Sequence, residues 1–266
     1  MTLPPVPADF HWHPEPWGAS LRCRPFTAIA RHLFTTRQLA IPQDEAWEQV
    51  SASLGEASPR VARVRQVHGN DVLVIRAASD TWRGRPDVEA DAVVTDDPAL
   101  AVAVLAADCL PLLVADRHGR AVGAVHAGWR GTAAAVAVKA VHALEREFGC
   151  HPSDLSVVIG PGIGACCYEV GTELVDAFAS AGHERHLIER WFSSPPPARG
   201  SRQRHALTLD LTTANSDQLV LAGVPAEAVH VASLCTAMHP TVLTSYRAEG
   251  TSAGRLAGVV ALPLRR

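Results

Sequence analysis

Apolar and polar positions alternate in short blocks along most of this chain. "ADAVVTDDPALAVAVLAADCLPLLVADRHGRAVGAVHAG", residues 90–128, contains four apolar runs separated by brief polar breaks, which predicts four strands. Residues 28–37 predict another strand, and residues 62–76 predict two strands joined as a hairpin at Gly69. Three further strands are expected near the C-terminus, in "VHVASL", "TVLTSYR" and "RLAGVVALPL".

Helical patterns fall between these strands. Residues 42–55 have the composition of an amphipathic helix that ends at Gly55. Residues 133–148 are rich in alanine, with Thr132 as the expected N-cap and Gly149 at the C-terminal stop. "TELVDAFASAG" and "TTANSDQLVLAG" each close on a glycine and predict two more helices. Helices mixed with runs of adjacent strands favour an α+β fold with mixed sheets over a strictly alternating doubly wound fold.

The chain of 266 residues is long enough to bury the core of one large domain. Residues 1–27 are rich in Pro, His and Trp and are expected to form an irregular N-terminal arm. Residues 28–266 are then expected to form a single catalytic domain. "RWFSSPPPARGSRQR", residues 190–204, is typical of a surface loop, and no internal repeat is evident.

Charge and composition exclude several classes of protein. A net charge of −3 without a basic patch argues against a nucleic-acid partner. Residues 99–115 approach the length of a membrane-spanning helix, but Asp108 near their middle would cost about 2.5–3.5 kcal/mol. We therefore expect two buried strands there and no membrane span. Six cysteines without a CxxC pair, and no signal peptide, indicate reduced thiols in the cytoplasm.

Three residues with soft ligand atoms occur where strands are predicted to end or break: His68, Cys109 and His126. If these strand ends meet at one rim of a sheet, the side chains form a three-ligand shell for zinc with one open position. The alternative has no metal. Cys109 is then a small buried hydrophobe, His68 a turn residue and His126 a core histidine. The residues alone leave both interpretations open.

Asp108 lies between two apolar runs, so its carboxylate needs a partner such as a histidine N–H or an arginine. One interpretation is that Asp108 orients a ligand histidine from behind. The other is that Asp108 caps the turn between two strands, a position that aspartate favours.

"HAGWRGT" has the features of an anion site. Gly128 permits close approach of the backbone, Arg130 supplies a fixed charge, and a helix predicted to begin near Ala133 directs free amides to the same place. These features suit phosphate, although a plain strand-to-helix turn with a surface arginine has the same pattern. Arg37 and Arg247 each follow an apolar stretch, and each by itself is expected to be a surface residue.

"IGPGIGACCYEVG", residues 159–171, is a second glycine-rich loop. It is not a dinucleotide-binding fingerprint, because Pro161 interrupts it and no helix is predicted directly after it. Cys166 and Cys167 in this loop are expected to be buried and not reactive.

Six stretches occur here in a recognisable order: "RQVHG", "ADAVVT", "ADCLPLLVAD", "GAVHAGWRGT", "IGPGIGACCYEVG" and "SYR". With them the sequence resembles the laccase-domain, YfiH-like family, long described as multicopper polyphenol oxidases. Characterised members of that family are zinc-containing purine nucleoside enzymes. The resemblance runs from about residue 28 to the C-terminus. It implies two mixed sheets packed between helices, in a four-layer α/β/β/α arrangement.

The resemblance also implies a function. Zinc is expected on His68, Cys109 and His126, and the activity is expected to be phosphorolysis of adenosine, inosine, guanosine and methylthioadenosine, with adenosine deamination as a second activity. The expected partners are purine nucleosides and inorganic phosphate, and the protein is expected to be a monomer or weak homodimer. Arg37 matches an arginine that lies close to the active site in the family. We hypothesise that Asp108 moves protons.

For inorganic phosphate, the candidate binding residues are Arg130, the amides of the predicted helix and Arg37. Two departures from the family pattern bear on the substrate. "QLAIP" follows Arg37 where relatives have a Gly-Gly-Val-Ser-like loop, and "LTSYRAEGTSAGR" retains Arg247 and Arg255 but lacks an aromatic and a second arginine of the usual tail. An altered substrate range is therefore expected.

Three other functions stay open. Copper can occupy soft sites, and a copper polyphenol oxidase is one alternative, although such enzymes use several histidines for each copper cluster. A metal-free cysteine hydrolase would use Cys109 as nucleophile and His126 as base. A binding protein that senses a nucleotide without turnover is the third.

Overall fold

The computed structural model describes residues 2–41, 43–55, 58–77, 87–194 and 207–263. Within these ranges the strands are β1 Phe10–Glu15, β2 Gly18–Cys23, β3 Arg31–Phe34, β4 Arg60–Ala62, β5 Val72–Ile75, β6 Ala92–Thr95, β7 Leu100–Ala106, β8 Leu110–Asp116, β9 Val122–Ala127, β10 Leu155–Ile159, β11 Glu169–Val170, β12 Phe192–Ser193, β13 Leu207–Leu209, β14 Val229–Val231 and β15 Leu256–Ala261. The α-helices are α1 Arg24–Thr27, α2 Asp44–Ser53, α3 Trp129–Ala133, α4 Val136–Phe148, α5 Glu173–Ser180, α6 Arg185–Trp191, α7 Leu211–Leu221 and α8 Tyr246–Glu249.

Most strands belong to two six-stranded sheets. The first sheet has the order β1-β2-β3-β15-β7-β4, and the second has the order β14-β10-β8-β9-β6-β5. Both are mixed, because β4 and β7, β5 and β6, and β10 and β14 run parallel while the other neighbours run antiparallel. A small sheet of order β11-β13-β12 lies outside them. The predicted α+β fold with mixed sheets is therefore confirmed.

Alternate residues of the central strands face different layers, as a period of two requires. Val102 of β7 and Leu113 of β8 belong to one core between the two sheets. Ala103, on the other face of β7, packs in a core with α2. Val114, on the other face of β8, packs in a third core with α4 and α7. The order of layers is helix, sheet, sheet and helix, as expected.

The N-terminal segment differs from the prediction. Residues 1–27 were expected to be irregular, but β1 and β2 pair antiparallel over six residues each and end in the short helix α1. Phe10, Leu21 and Cys23 are buried in the core between the sheets. The two histidines and the proline of β1 obscure the alternation, and the strand is stabilised by its pairing with β2, which composition does not reveal. The expected domain from residue 28 stays a prediction.

Residues 62–76 do not form the predicted hairpin. β4 pairs with β7 in the first sheet, and β5 pairs with β6 in the second, so the intervening chain crosses between sheets.

The strand predicted for "TVLTSYR" is also wrong, since the last two residues of this segment begin α8. Side chains there satisfy the backbone: Glu249 accepts from the N–H of Ser245 at 3.1 Å, and Ser245 accepts from the N–H of Ala248 at 3.2 Å.

The predicted helix over residues 133–148 is interrupted. α3 ends at Ala133, and Ala135, with a left-handed φ of 56°, separates it from α4. Thr132 is therefore not an N-cap. Its hydroxyl accepts from Nδ2 of Asn215 at 2.9 Å, and its carbonyl accepts from Nε2 of Gln218 at 3.0 Å, which ties α3 to α7. Gly149 ends α4 as predicted, with φ 67°. The helices α2, α5 and α7 were also predicted, whereas α6 and the small sheet were not.

Residues 99–115, considered above as a membrane span, form β7 and β8 with a turn at 107–109. Among the described residues, every helix is too short or too polar to cross a bilayer. The predicted surface loop at 190–204 begins inside α6 and β12, and its residues 195–204 lie outside the described residues.

Candidate metal centre

The turn between β7 and β8 places Cys109. Its preceding residue, Asp108, has a φ of 92°, a backbone conformation that costs a non-glycine residue about 1–3 kcal/mol. Three separate segments hold this turn. The Asp108 carboxylate accepts from the hydroxyl of Thr236 and from the backbone N–H of Arg247, both at 2.6 Å, and the Asp108 carbonyl accepts from the N–H of Ile163 at 2.7 Å. The position of the Cys109 sulfur is fixed as a result.

A second carboxylate places both histidines. Asp91, fully buried directly before β6, accepts from the backbone N–H groups of Val67 at 3.2 Å, His68 at 2.9 Å and Gly69 at 2.6 Å. Asp91 also accepts from Nδ1 of His126 at 2.8 Å. The His68 backbone is left-handed, with φ 61°, and the three N–H bonds to Asp91 hold it there.

Asp91 therefore does what was considered for Asp108, namely orient a ligand histidine, and Asp108 contacts neither histidine through its carboxylate. Sequence reasoning missed Asp91. The motif "ADAVVT" does carry an indication, because an aspartate directly before a run of buried strand residues needs a donor for each of its oxygens.

His68, Cys109 and His126 come together at this point. One possible ligand atom from each lies within 4.8 Å of the others, and the two imidazole rings have centroids 4.9 Å apart. His68 is exposed, Cys109 is half-buried and His126 is buried, so the group forms a wall open on one side. Two imidazoles and one thiol are a ligand set that zinc accepts. Because Nδ1 of His126 is bound to Asp91, Nε2 is the ring nitrogen left to face a metal.

The residues around the group also fit a metal. A Cβ atom at Gly128 would lie 2.8 Å from Sγ of Cys109 and 3.2 Å from Cδ2 of His68. The first distance is shorter than real Cβ contacts, so glycine is required for the sulfur and the imidazole to approach this closely. The predicted need for glycine at position 128 is met here, at the metal ligands and not at a phosphate.

Ionisation at the centre favours a thiolate. Burial raises the pKa of Cys109, but hydrogen bonds with His126 and His68 outweigh it and lower that pKa to about 6. Burial lowers the pKa of His126, while its hydrogen bonds to Asp91 and Cys109 raise that pKa to about 9. For Asp91, burial is likewise outweighed, here by the hydrogen bond from His126, and the pKa is lowered. A thiolate is the form of cysteine that binds metals and acts as a nucleophile.

The three residues line a cavity of about 600 Å³, a size suited to a small-molecule ligand. One wall is apolar and includes Val64, Leu105 and Ala106. The rest is aromatic or cationic and consists of Tyr168, Tyr246, Arg247 and Arg255, with Gln66, Ala107 and Asp108 beside the metal ligands. The Arg247 guanidinium lies 5.3 Å from the centre of the Tyr168 ring, a cation–π arrangement, and donates to the carbonyl of Glu169 at 3.0 Å.

The candidate arginines lie at the surface, as expected for Arg37 and Arg247 by themselves. Arg37 does not line the cavity: it donates to the carbonyl of Pro240 and to Glu249 at 3.1 Å. Arg130 is exposed and stacks on the ring of Trp129 at 4.3 Å. Arg247 is exposed, as expected of a surface residue, and it also lines the cavity. The helix predicted to begin near Ala133 begins instead at Trp129 and is five residues long, and the phosphate site expected at its start stays a prediction.

Comparison with known proteins is consistent with this site. A family model described as "Multi-copper polyphenol oxidoreductase laccase" matches residues 43–263. A protein of Bacteroides thetaiotaomicron named purine nucleoside phosphorylase is 33% identical over 195 residues, which cover 72% of this chain and 69% of that protein. The human protein named purine nucleoside phosphorylase LACC1 is 30% identical over 89% of this chain, and the match spans only 52% of the human protein.

The fold has solved counterparts. The crystal structure of YlmD from Geobacillus stearothermophilus superposes with a TM-score of 0.80. The two chains are 27% identical, and the match covers 97% of this chain and 100% of YlmD. The four-layer arrangement of the sheets and helices is therefore one that an experimental structure also has.

Proposed function

The chain belongs to the multi-copper polyphenol oxidoreductase laccase family, and from this we propose that it is a purine nucleoside phosphorylase with zinc held by His68, Cys109 and His126. One observation carries the proposal: the three ligand atoms lie within 4.8 Å of one another on the wall of a 600 Å³ cavity that also contains two arginines. The names of the relatives support the purine nucleoside and the phosphate as substrates.

The proposed substrates are adenosine, inosine, guanosine and methylthioadenosine. The cavity supports an aromatic ligand, because Tyr168 and Tyr246 offer ring faces and Val64 and Leu105 offer an apolar wall. A purine can stack on such rings. This chain lacks an aromatic residue and a second arginine of the family's usual tail, both close to Arg247 in sequence. The range of nucleosides that the protein accepts is therefore the property that we most expect to differ in this chain.

For phosphate, we assign Arg247 and Arg255, since both line the cavity. A guanidinium can donate two parallel hydrogen bonds to a phosphate and is always charged. Arg37 would first have to leave Glu249, and Arg130 would have to leave the Trp129 ring. In phosphorolysis a phosphate oxygen bonds to the anomeric carbon, the glycosidic carbon–nitrogen bond breaks, and the purine nitrogen takes the electron pair and then a proton.

Zinc bound by the three ligands would supply Lewis-acid stabilisation of negative charge on the departing purine or on a reacting water. Asp91 keeps His126 in the tautomer that presents Nε2, and it keeps the His68 loop in place. In the proposed second activity, adenosine deamination, water adds to the purine carbon that bears the amino group and ammonia leaves. We assign the accompanying proton transfer to Asp108, one of the residues that line the cavity.

The direct test incubates purified protein with adenosine, with and without inorganic phosphate, and separates adenine, inosine and hypoxanthine by chromatography. His126→Ala and Cys109→Ala proteins are run in parallel. Adenine that requires phosphate and disappears in both variants supports the metal-dependent phosphorylase. Inosine formed without phosphate makes deamination the main activity. If neither product forms while one metal ion is bound to this centre, the nucleoside proposal is wrong.

A cysteine hydrolase is the second candidate, and one arrangement favours it. Cys109, His126 and Asp91 stand in the order nucleophile, base and orienting carboxylate, with His126 bonded to both neighbours. The two candidates differ in their need for metal. Activity that survives complete chelation and is abolished by alkylation of Cys109 would support the hydrolase.

Copper oxidation has less support. Copper oxidases hold each copper cluster with several histidines. Among the described residues, the His68 centre is the candidate group that contains histidine, and it contains two. Oxygen uptake with a phenol after copper loading measures this activity directly, and we expect little.

A further inference from the structure

A second cluster of soft ligands lies apart from the centre described above. Cys166, Cys167 and Cys235 place their sulfur atoms within 4.8 Å of one another, and Sγ of Cys166 lies 3.7 Å from Sγ of Cys167. Cys166 is exposed and the other two are half-buried. The expectation that Cys166 and Cys167 are buried is therefore wrong for Cys166.

The topology of the second sheet produces this cluster. β10 and β14 are parallel neighbours, so the segments that follow them leave the same edge of the sheet. A bridge between Gly162 and Cys235 continues the pairing beyond the strands. The adjacent cysteines of the first segment thus meet the single cysteine of the second, although they are far apart in sequence.

The distances suit a metal bound by thiolates. With metal–sulfur bonds of about 2.3 Å, two sulfurs of one tetrahedral site are about 3.8 Å apart, and those of a trigonal site about 4.0 Å. Cys166 and Cys167 already have that spacing. The limit of 4.8 Å for the whole group leaves at most about 1 Å to close, a distance that side-chain rotation covers.

The same numbers argue against a disulfide between the adjacent pair. Neighbouring Cα atoms across a trans peptide are about 3.8 Å apart. Disulfides usually need a Cα separation of about 4.4–6.8 Å. Cys166 and Cys167 are therefore poorly placed to bond to each other, whereas both can point at one ion.

The backbone around Gly164 is shaped to this cluster. Its N–H donates to Sγ of Cys235 at 3.3 Å. A Cβ atom at Gly164 would lie 3.3 Å from Sγ of Cys166 and 3.6 Å from Sγ of Cys235, so both sulfurs rest against the bare glycine.

We propose that Cys166, Cys167 and Cys235 form a second metal site, which takes a thiophilic ion, Zn²⁺ or Cu⁺, through three thiolates. Thiolates select these ions over Mg²⁺, Ca²⁺ and Mn²⁺, which prefer oxygen. The site shares no ligand with the His68 centre. It does not depend on the reaction proposed for that centre.

An ion at this second site would stabilise the geometry of the His68 centre. The cysteine segment of residues 160–168 also contains Ile163, whose N–H bonds to the Asp108 carbonyl. Thr236, next to Cys235, bonds to the Asp108 carboxylate. Binding both segments to one ion restrains the two contacts that support the strained Asp108 turn, and with it the position of Cys109.

The test measures metal stoichiometry in fully reduced protein, with Zn²⁺ and Cu⁺ as separate probes, each titrated against a competing chelator. Four proteins are compared: wild type, Cys166→Ser, Cys109→Ser and Cys150→Ser. Cys166 is exposed, so its serine variant is expected to fold, which circular dichroism checks. Cys150 is a buried cysteine outside both clusters and serves as the control.

We expect two ions per chain in wild type and Cys150→Ser, and one in Cys166→Ser and Cys109→Ser. Cobalt substitution adds a spectroscopic readout. Sulfur-to-cobalt absorption should be strong in Cys109→Ser, which keeps three thiolates, and weak in Cys166→Ser, whose intact centre has one.

Binding of as many ions by Cys166→Ser as by wild type, with both probes, overturns the proposal. The proposal is also overturned if Cys235 forms a disulfide in oxidised protein and the reduced protein binds no metal at this site. If only Cu⁺ adds the Cys166-dependent ion, the proposal stands with copper as the ion. Loss of nucleoside activity with Cys166-dependent binding intact would count against the proposed function alone.

Discussion

Oδ1 of Asp91 lies 2.8 Å from Nδ1 of His126, and the same oxygen accepts the backbone N–H of His68 at 2.9 Å. One buried carboxylate thus sets the positions of two proposed metal ligands from strands and loops that are distant in sequence. This shared dependence makes Asp91 the most informative single residue to change.

Asp91→Asn should lower zinc affinity about 10- to 100-fold, as loss of an outer-shell partner typically does. The amide removes the charge that holds His126 and places a donor against backbone donors of the His68 loop. Competition with a chromogenic chelator measures the affinity. Asp116→Asn is the control, because Asp116 is an equally buried carboxylate that binds Arg120 away from the centre. Equal affinities in the Asp91 variant and wild type would contradict the assignment.

Gly128→Ala should abolish tight metal binding while the fold persists. Its Cβ would lie 2.8 Å from Sγ of Cys109, so the sulfur must move. Gly69→Ala is a nearby control, because its Cβ would lie 3.5 Å from Asp91, an ordinary contact. Bound zinc per chain, measured after dialysis, should be near zero in the first variant and retained in the second. Retention in both would mean that the glycine does not set the approach.

Arg247→Ala should raise KM for phosphate roughly 10- to 150-fold, the equivalent of a charged hydrogen bond of about 1.5–3 kcal/mol. Arg247 lines the cavity, whereas Arg37 and Arg130 are not among its lining residues. Initial rates at varied phosphate for Arg247→Ala, Arg130→Ala and Arg37→Ala make the comparison. A larger effect from either of the last two would return phosphate binding to the residues that sequence suggested.

Asp108→Asn should reduce adenosine deamination by about 10²- to 10⁴-fold if its carboxylate moves the proton. Thr236→Val removes a hydrogen bond to this carboxylate but leaves the group itself, so its effect should be much smaller. Inosine formation over time, without phosphate, is the measurement. Full deamination by Asp108→Asn would reduce Asp108 to a structural residue of the turn.

His32 should make stability depend on pH. Burial lowers its pKa to about 3, and its Nε2 accepts from the N–H of Cys23 at 2.8 Å, so the folded state holds it neutral. The unfolded state binds a proton below about pH 6.5, so stability is lost as pH falls through that value. Between pH 7.5 and 5 this contributes about 2 kcal/mol.

Urea unfolding at those two pH values checks the His32 contribution. His32→Gln keeps an acceptor for Cys23 but does not titrate, so its free energy of unfolding should fall by about 2 kcal/mol less over the same interval. An identical pH dependence in the two proteins would show that His32 protonates in the folded state as well.

Hydrophobic periodicity predicted much of this fold correctly. The strands β6 to β9 followed from apolar runs separated by polar breaks, and the helices α2, α5 and α7 followed from composition and from the glycines that close them. Periodicity failed for β1 and β2, whose polar residues hide the pattern. It failed also for "TVLTSYR", where Glu249 and Ser245 satisfy backbone groups that a strand would have paired.

The residues of the candidate site were also predicted only in part. His68, Cys109 and His126 were predicted from their residue types at strand ends and from the resemblance, and they lie together. Phosphate binding by Arg37 and Arg130 stays a prediction, and the residues that the structure brings to the cavity are instead Arg247 and Arg255. The position of a long charged side chain depends on the partner that it contacts. Arg37 contacts Glu249 and Arg247 contacts Tyr168, and only the folded chain brings these partners together.

The sequence by itself determined which strands are buried, which residues could hold a metal and to which family the chain belongs, because each of these depends on residue type and local order. Tertiary structure alone decided that Asp91 holds both histidines, that Asp108 braces a strained turn, and that three cysteines from two segments meet. Each of these depends on distances between segments far apart in the chain. Such distances are set by sheet order and packing, which no local pattern encodes.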